Sequence, residues 1–247
     1  MAGHSKWANI RIRKGKQDAQ RSNLFTKLSR ELIVASKLGG PDPEANARLR
    51  AAIANARSNR MPKDSIERAI ERGSGGGDGT NLEEAIYEGK GPGGVAILIK
   101  VLTDNKNRTV PELRHTLTKS GGSLVENGAV SWQFKQQGEI LIPSDGVNEE
   151  NLFMLALDAG AEDVVLDNGY YTVSTPVDSF HKIRDALEKE NYEIESAELV
   201  MNPTNKVEIS REDAEKVYKL LERLDELDDV QDTYINVELP DDIESTN

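Results

Sequence analysis

Arg11, Arg13, Lys14 and Lys16 stand within six residues of one another, behind His4, Lys6 and Trp7 and ahead of Arg21, Lys27, Arg48, Arg57, Arg60 and Lys63. Residues of these types hold phosphate. A planar guanidinium offers forked donors to phosphate oxygens and stacks on bases, whereas an ammonium acts as a point charge. Trp7 either stacks on a nucleobase or packs the segment onto the body of the protein, and His4 is a further candidate contact. The setting makes the cluster conspicuous. From Met1 to Arg72 there are 16 Lys and Arg against 7 Asp and Glu, a net of +9, in a chain whose total is -12, so the remainder carries -21. Such asymmetry points to nucleic-acid or anionic-surface binding by the basic part, the alternative being a solvated basic surface with no partner. The acidic remainder would repel phosphate and so orient the basic part toward it, meet basic proteins, or simply confer solubility.

Other chemistry finds little support. There is no cysteine, hence no disulfide framework, thiolate zinc site or cysteine nucleophile. His4, His115 and His181 fall in three separate segments without metal-ligand spacing. Ser5, Ser65 and Ser179 lack a nucleophile-elbow context. Gly89-Lys90-Gly91-Pro92-Gly93-Gly94 satisfies G-x-G-x-x-G but precedes a strand, whereas a dinucleotide site needs the motif after a strand and at a helix start. The carboxylate pairs Glu83-Glu84, Glu149-Glu150, Asp228-Asp229 and Asp241-Asp242 flank elements and read as solvated surface. The expectation is a non-enzymatic protein with no cofactor, no metal and no small-molecule substrate. The longest apolar run, Val95 to Leu102, is interrupted by Lys100 and is far short of the ~20 residues that cross a bilayer. With no apolar run behind the basic front end to suggest a signal peptide, a cytoplasmic protein without membrane contact is expected.

The elements that must position these residues follow from periodicity. Asp18 to Lys37 repeats Leu24, Leu28, Leu32 and Ala35 at helical spacing and stops at Gly39-Gly40-Pro41. Asp42 reads as the next N-cap with Pro43 behind it, and Leu49, Ile53 and Ala56 form an apolar face. A third helix starts at Pro62 and ends at Gly73, where "GSGGGDG" reads as a linker. Beyond it, strands are expected at Gly94 to Thr103, Ala129 to Phe134, Lys206 to Ile209 and Asp232 to Leu239. Helices are expected after a Thr109 to Glu112 capping box and after Ser210. Between them a second set reads as strand Glu139 to Ile142, helix Glu149 to Ala159, strands Asp163 to Leu166 and Tyr170 to Ser174, helix Pro176 to Glu190 and strand Ile194 to Val200. Asn168-Gly169 marks the hairpin turn. The fold class is α+β: a helical bundle and two ferredoxin-like α/β domains, the second inserted into the first. The expected boundaries are 1–76, then 80–136 with 202–240, then 137–201.

The strings "MAGHSKWANI", "RKGKQDAQRSNLFTKLSREL", "NARLRAAIANARSNRMPKDSIERAIERG" and "YEGKGPGGVAILI" resemble the YebC/PmpR family of probable transcriptional regulators, and the element plan behind them continues to the C-terminus. The resemblance implies a three-domain, non-enzymatic cytoplasmic protein. Some bacterial members of that family are treated as promoter-binding regulators. Others are associated with ribosomes stalled on proline-rich sequences, and mitochondrial relatives are described as translational activators of a cytochrome c oxidase subunit. The expected function is nucleic-acid-binding regulation of gene expression, as a DNA-binding transcriptional regulator. The alternatives are a ribosome- or structured-RNA-associated translation factor and a protein-interaction scaffold. Charge alone does not separate DNA from RNA, since both present phosphate. Shape-reading of RNA needs no recognition helix, and none stands out here.

Overall fold

The computed structural model describes residues 20–75, 81–167, 169–240 and 243, with residues 20–22 described by their backbone alone. Three helices come first: α1 Gln20–Gly39, α2 Ala47–Ser58 and α3 Lys63–Gly73. They close over Leu28, Leu32, Leu49, Ile53, Ala56, Ile66 and Ala69, with Leu82 and Leu102 packed into the same core. Gly73 ends α3 in direct contact with the Ile33 carbonyl, where a Cβ would collide. The glycine therefore belongs to helix packing as well as to the break after it, of which residues 76–80 lie outside the described residues.

The N-cap of α2 is Asn46, not Asp42. Asp42 instead closes a turn of its own, accepting from the Glu44 N–H at 2.9 Å. Buried Asn46 uses both ends of its amide: Oδ1 accepts from the Leu49 N–H at 3.0 Å, and Nδ2 donates to the carbonyls of Ala35 and Gly40, both at 2.8 Å. Only an amide can do all three, so this residue joins the end of α1 to the start of α2. Asn46→Asp keeps the cap acceptor but sets a carboxylate against two carbonyls. It should lower stability by about 2 to 3 kcal/mol in urea unfolding, more than Asn46→Ser.

Two compact units follow from the chain contacts, one spanning Phe134–Asn202 and the other comprising the described residues of 20–133 with those of 203–243. The second unit contains the helical bundle and a four-stranded sheet of β1 Glu83–Lys90, β2 Ala96–Thr103, β3 Ser123–Val125 and β8 Val230–Ile235 in the order β3-β1-β2-β8. Every pairing in it is antiparallel, with Glu83 opposite Thr103 and Ile97 opposite Ile235. Helices α4 Lys106–Lys119 and α7 Arg211–Asp225 bury Leu113, Leu117, Val217, Leu220 and Leu224 against Ile97, Ile99 and Val101. On β2, Leu102 turns the other way, into the helical core. A strand covered on both faces reads as an unbroken apolar run, which is why "AILIKVLT" was legible.

Several expectations for this unit are corrected. β1 was not foreseen, because "EEAIYEGK" carries three carboxylates and a glycine and little β propensity. The G-x-G-x-x-G segment does precede a strand, as expected: it forms the end of β1 and the connection to β2, with Gly93 at φ 68° and Gly94 at φ 77°. The cap of α4 is Asn105, four residues ahead of Thr109, and Pro111 lies inside the helix. The third strand is Ser123–Val125, while Ala129 to Gln133 forms a loop. Lys206 to Ile209 contributes a single bridge, Val207 to Val237.

The unit Phe134–Asn202 contains β4 Phe134–Pro143, α5 Glu149–Ala159, β5 Asp163–Asp167, β6 Tyr170–Thr175, α6 Phe180–Lys189 and β7 Ser196–Pro203, with sheet order β5-β6-β4-β7. That order and connectivity are the ferredoxin-like arrangement. Asp167 pairs with Tyr170 across a two-residue turn; Asn168 of that turn lies outside the described residues. The core is Ile140, Ile142, Leu152, Ala156, Val173, Ile183 and Leu187. No described helix is long and apolar enough to cross a membrane.

Candidate nucleic-acid interface

The thirteen basic and aromatic candidates do not share one fate. His4, Lys6, Trp7, Arg11, Arg13, Lys14 and Lys16 lie outside the described residues, and Arg21 is known only as a backbone position in the first turn of α1. Lys27 is withdrawn from the set. It is buried, and its Nζ lies 2.7 Å from the Asp225 carboxylate and 2.6 Å from the Asp225 carbonyl. Arg48 is likewise occupied: Nε and Nη2 grip both oxygens of Glu31 at 2.7 and 3.1 Å, and Nη1 reaches Glu84 at 3.1 Å. Burial acts to lower the Arg48 pKa, but those two carboxylates outweigh it and hold the pKa above its ordinary value.

Arg57, Arg60 and Lys63 remain at the surface, and the turn between α2 and α3 brings them together in sequence and space. Arg60 adopts the left-handed conformation, φ 58°. The Arg60 N–H bonds the Arg57 carbonyl at 2.9 Å and the Met61 N–H bonds the Ala56 carbonyl at 2.9 Å, the paired bonds of a Schellman helix end. Met61 and Ala56 are both buried, completing the apolar contact that goes with that motif. Elsewhere the same bonds close α4 at Gly121, α5 at Gly160 and α6 at Asn191. Glycine or asparagine is the ordinary occupant; arginine carries a backbone penalty there of about 1 kcal/mol. Neither Arg57 nor Arg60 forms an ion pair among the described residues, while Lys63 makes a loose 3.5 Å pair with Glu67 on the open surface. Arg50, which sequence reasoning passed over, is exposed on the same face of α2 as Arg57, seven residues away.

A polar seam along α1 joins the helical bundle to the end of α7 and to β2. Asn23 donates to the carbonyls of Asp225 and Glu226 at 3.1 and 2.9 Å, placing an amide on the orphan carbonyls at the end of α7. Lys27 adds a cation there, where the helix dipole favours one. Arg30 reaches the carbonyls of Leu102 and Asp228 at 3.0 and 2.6 Å and the Asp229 carboxylate at 2.6 Å. Asp229 was expected to be solvated surface, and the structure overturns that. It is 3% exposed and accepts from Arg30, from Arg108 at 3.0 Å, from Thr109 at 2.6 Å and from Thr103 at 3.1 Å. Burial alone would raise its pKa, but those donors prevail and lower it. No local signal marked Asp229, because its partners come from α1, β2 and α4, at least 120 residues away in sequence. The described residues contain no cluster of His, Cys, Asp and Glu fit to hold a metal ion.

Comparison with known proteins adds an independent line. The TACO1/YebC protein N-terminal domain matches residues 5–76, and the TACO1/YebC second and third domain matches residues 82–237. The chain belongs to the TACO1/YebC family. Its relatives include a "Probable transcriptional regulatory protein" of Carboxydothermus hydrogenoformans, 51% identical over 244 residues and covering 98% of this chain and 100% of the relative. Another protein of that name, from Dehalococcoides mccartyi, is 52% identical over 238 residues, with 96% and 95% covered. Among solved structures, a conserved hypothetical protein from Aquifex aeolicus superposes at a TM-score of 0.88 with 47% identity, covering 96% of this chain and 98% of that one. The TACO1/YebC fold is α+β, with two four-stranded sheets.

Proposed function

We propose that this TACO1/YebC protein is a non-enzymatic, cytoplasmic regulator of gene expression that binds nucleic acid through its basic first segment. The arm residues His4, Lys6, Trp7, Arg11, Arg13, Lys14 and Lys16, with Arg21, supply one part of the contact and the α2–α3 turn supplies the other. The observation that carries the reading is Arg60: a strained backbone position retains a cationic side chain where glycine would fit at lower cost, next to Arg57 and in a protein that is acidic as a whole. The relatives' names support a role in transcription, and so DNA as the target.

A second reading, structured RNA and the ribosome, is favoured by α3. Its exposed residues mix Asp64, Glu67 and Glu71 with Lys63, Arg68 and Arg72. A helix bearing three surface carboxylates is poorly suited to enter a phosphate-lined major groove. Contact through the turn grips phosphate without reading base edges, which is how shape recognition of RNA operates.

Arg60→Gly tests the reading by pulling stability and binding in opposite directions. Urea unfolding should show stability equal to or up to about 1 kcal/mol above the parent. In fluorescence anisotropy against duplex promoter DNA and a folded RNA, the slope of log affinity on log salt should fall by about 0.9 on duplex DNA and about 0.7 on single strands for one lost phosphate contact. An unchanged slope on both ligands would remove the turn from the interface. Whichever ligand binds more tightly at physiological salt decides between the two readings.

A further inference from the structure

Trp132 is 70% exposed, in a protein with only two tryptophans. The loop that carries it is fixed from beneath. Glu88, on β1 and only 2% exposed, receives the N–H groups of Gly128 and Val130 at 2.6 Å and of Ser131 at 2.9 Å. Burial works against the Glu88 charge, but these three backbone donors keep its pKa below the ordinary carboxylate value. The far end is tied as well: the Gln133 carbonyl accepts from the Thr204 N–H at 2.8 Å and hydroxyl at 3.0 Å, and its side-chain oxygen accepts from Asn236 at 2.8 Å. Val130, wholly buried, anchors the middle. The same clamp explains why the expected strand from Ala129 does not form: a carboxylate has taken the amides that a ladder would need.

The indole N–H is satisfied within the loop, donating to the Ala129 carbonyl at 3.1 Å. What remains for a partner is the flat π face. Its exposed loop neighbours are Glu126, Asn127, Gly128 and Ala129, polar or small, rather than the contiguous apolar patch that surrounds a protein-interface hot spot. Glu126 also disfavours a phosphate close by. A rigid aromatic face with no hydrogen bond left to give and no apolar surround suits the face of a base, which stacks without regard to sequence.

We propose that Trp132 is a preorganised stacking residue for an unpaired nucleobase, with Glu88 as its positioning residue, giving the protein a nucleic-acid contact outside its basic segment. This rests on the nucleic-acid reading above and adds to it the kind of strand bound: one with bases out of the duplex stack.

Fluorescence is read in the full chain carrying Trp7→Phe, which leaves Trp132 as the sole tryptophan, and affinities are compared with the parent chain, which keeps Trp7. An unstructured oligoadenylate ribonucleotide should quench Trp132 fluorescence saturably, while an RNA duplex of equal length should bind without quenching. Trp132→Ala, at an exposed position, should weaken oligoadenylate binding about tenfold, the scale of one stacked base, at an unchanged salt slope because no phosphate contact is lost. Trp132→Phe should recover part of the affinity. Glu88→Gln should reduce the quenching even though the indole is present. Oligoadenylate binding with neither quenching nor an effect of Trp132→Ala would overturn the proposal while leaving the phosphate reading intact. Failure of the parent chain, with Trp7 in place, to bind any nucleic acid would overturn the phosphate reading, and the stacking site with it.

Discussion

Asp229→Ala should destabilise the protein by about 3 to 5 kcal/mol, seen as a lower urea midpoint at an unchanged slope. The size follows from what is left behind. Arg30, whose side chain is 16% exposed, loses its carboxylate while still held against the Leu102 and Asp228 carbonyls, and the Thr103 and Thr109 hydroxyls lose their shared acceptor. An uncompensated charge in a half-buried site is costlier than the net worth of the pair. Asp229→Asn keeps the shape and should fall between alanine and the parent. It should also alter the acid limb of stability. The folded-state pKa of Asp229 is depressed relative to the unfolded chain, so its contribution is complete above the unfolded value of about 4 and is lost as pH falls through the folded value. A urea series from pH 7 down to pH 2 should therefore show a shallower decline for the asparagine variant. Parallel declines would mean that the carboxylate charge plays no part in holding the seam.

The second large effect concerns binding. Neutralising Arg11, Arg13, Lys14 and Lys16 together should reduce the salt slope of nucleic-acid binding by up to about 0.9 per lost phosphate contact on duplex DNA and about 0.7 on single strands, so by about 3 if all four engage. Filter binding across a salt series reads the slope directly, and the arm leaves the interface if affinity and slope both stay as in the parent. Arg60→Gly gives the matched comparison, since it removes one contact from the turn and leaves the arm whole.

The two compact units were legible to different degrees, for a physical reason. Every helix and strand of the Phe134–Asn202 unit was anticipated, and α5 to the residue, because Asn148 caps it, Gly160 ends it, and its apolar positions keep a helical period. Local signals suffice where the structure is decided locally. They misled where a distant group took over: Pro111 advertised a helix start, yet Asn105 holds the cap, and Thr109 serves the Asp229 carboxylate instead. Asp42 looked like a cap until Asn46, which has two donors that Asp42 lacks, claimed both helix ends. For the candidate interface, charge distribution singled out the basic segment, and helix ends and polar faces singled out Arg48, Arg57, Arg60 and Lys63 within it. Neither signal could separate Arg60, free at the surface, from Lys27, buried beneath α7, since lysine and arginine report nothing in sequence about the carboxylates that meet them across the fold.

The α1 seam also sets an order of events during synthesis. Asn23, Lys27 and Arg30 are made early, but the carbonyls and carboxylates that receive them, from Asp225 to Asp229, emerge roughly 200 residues later, about 10 to 40 s at ordinary elongation rates. In that interval the Phe134–Asn202 unit, a single uninterrupted stretch, leaves the exit tunnel whole and can close on its own, while the basic bundle still lacks the partners that neutralise its inner face. Lys27 and Arg30 are then cations without carboxylates, on a chain still attached to a particle made largely of RNA. Completion of α7 and β8 is thus the moment at which this protein's charge is sorted, with some cations sealed inside and the rest left at the surface.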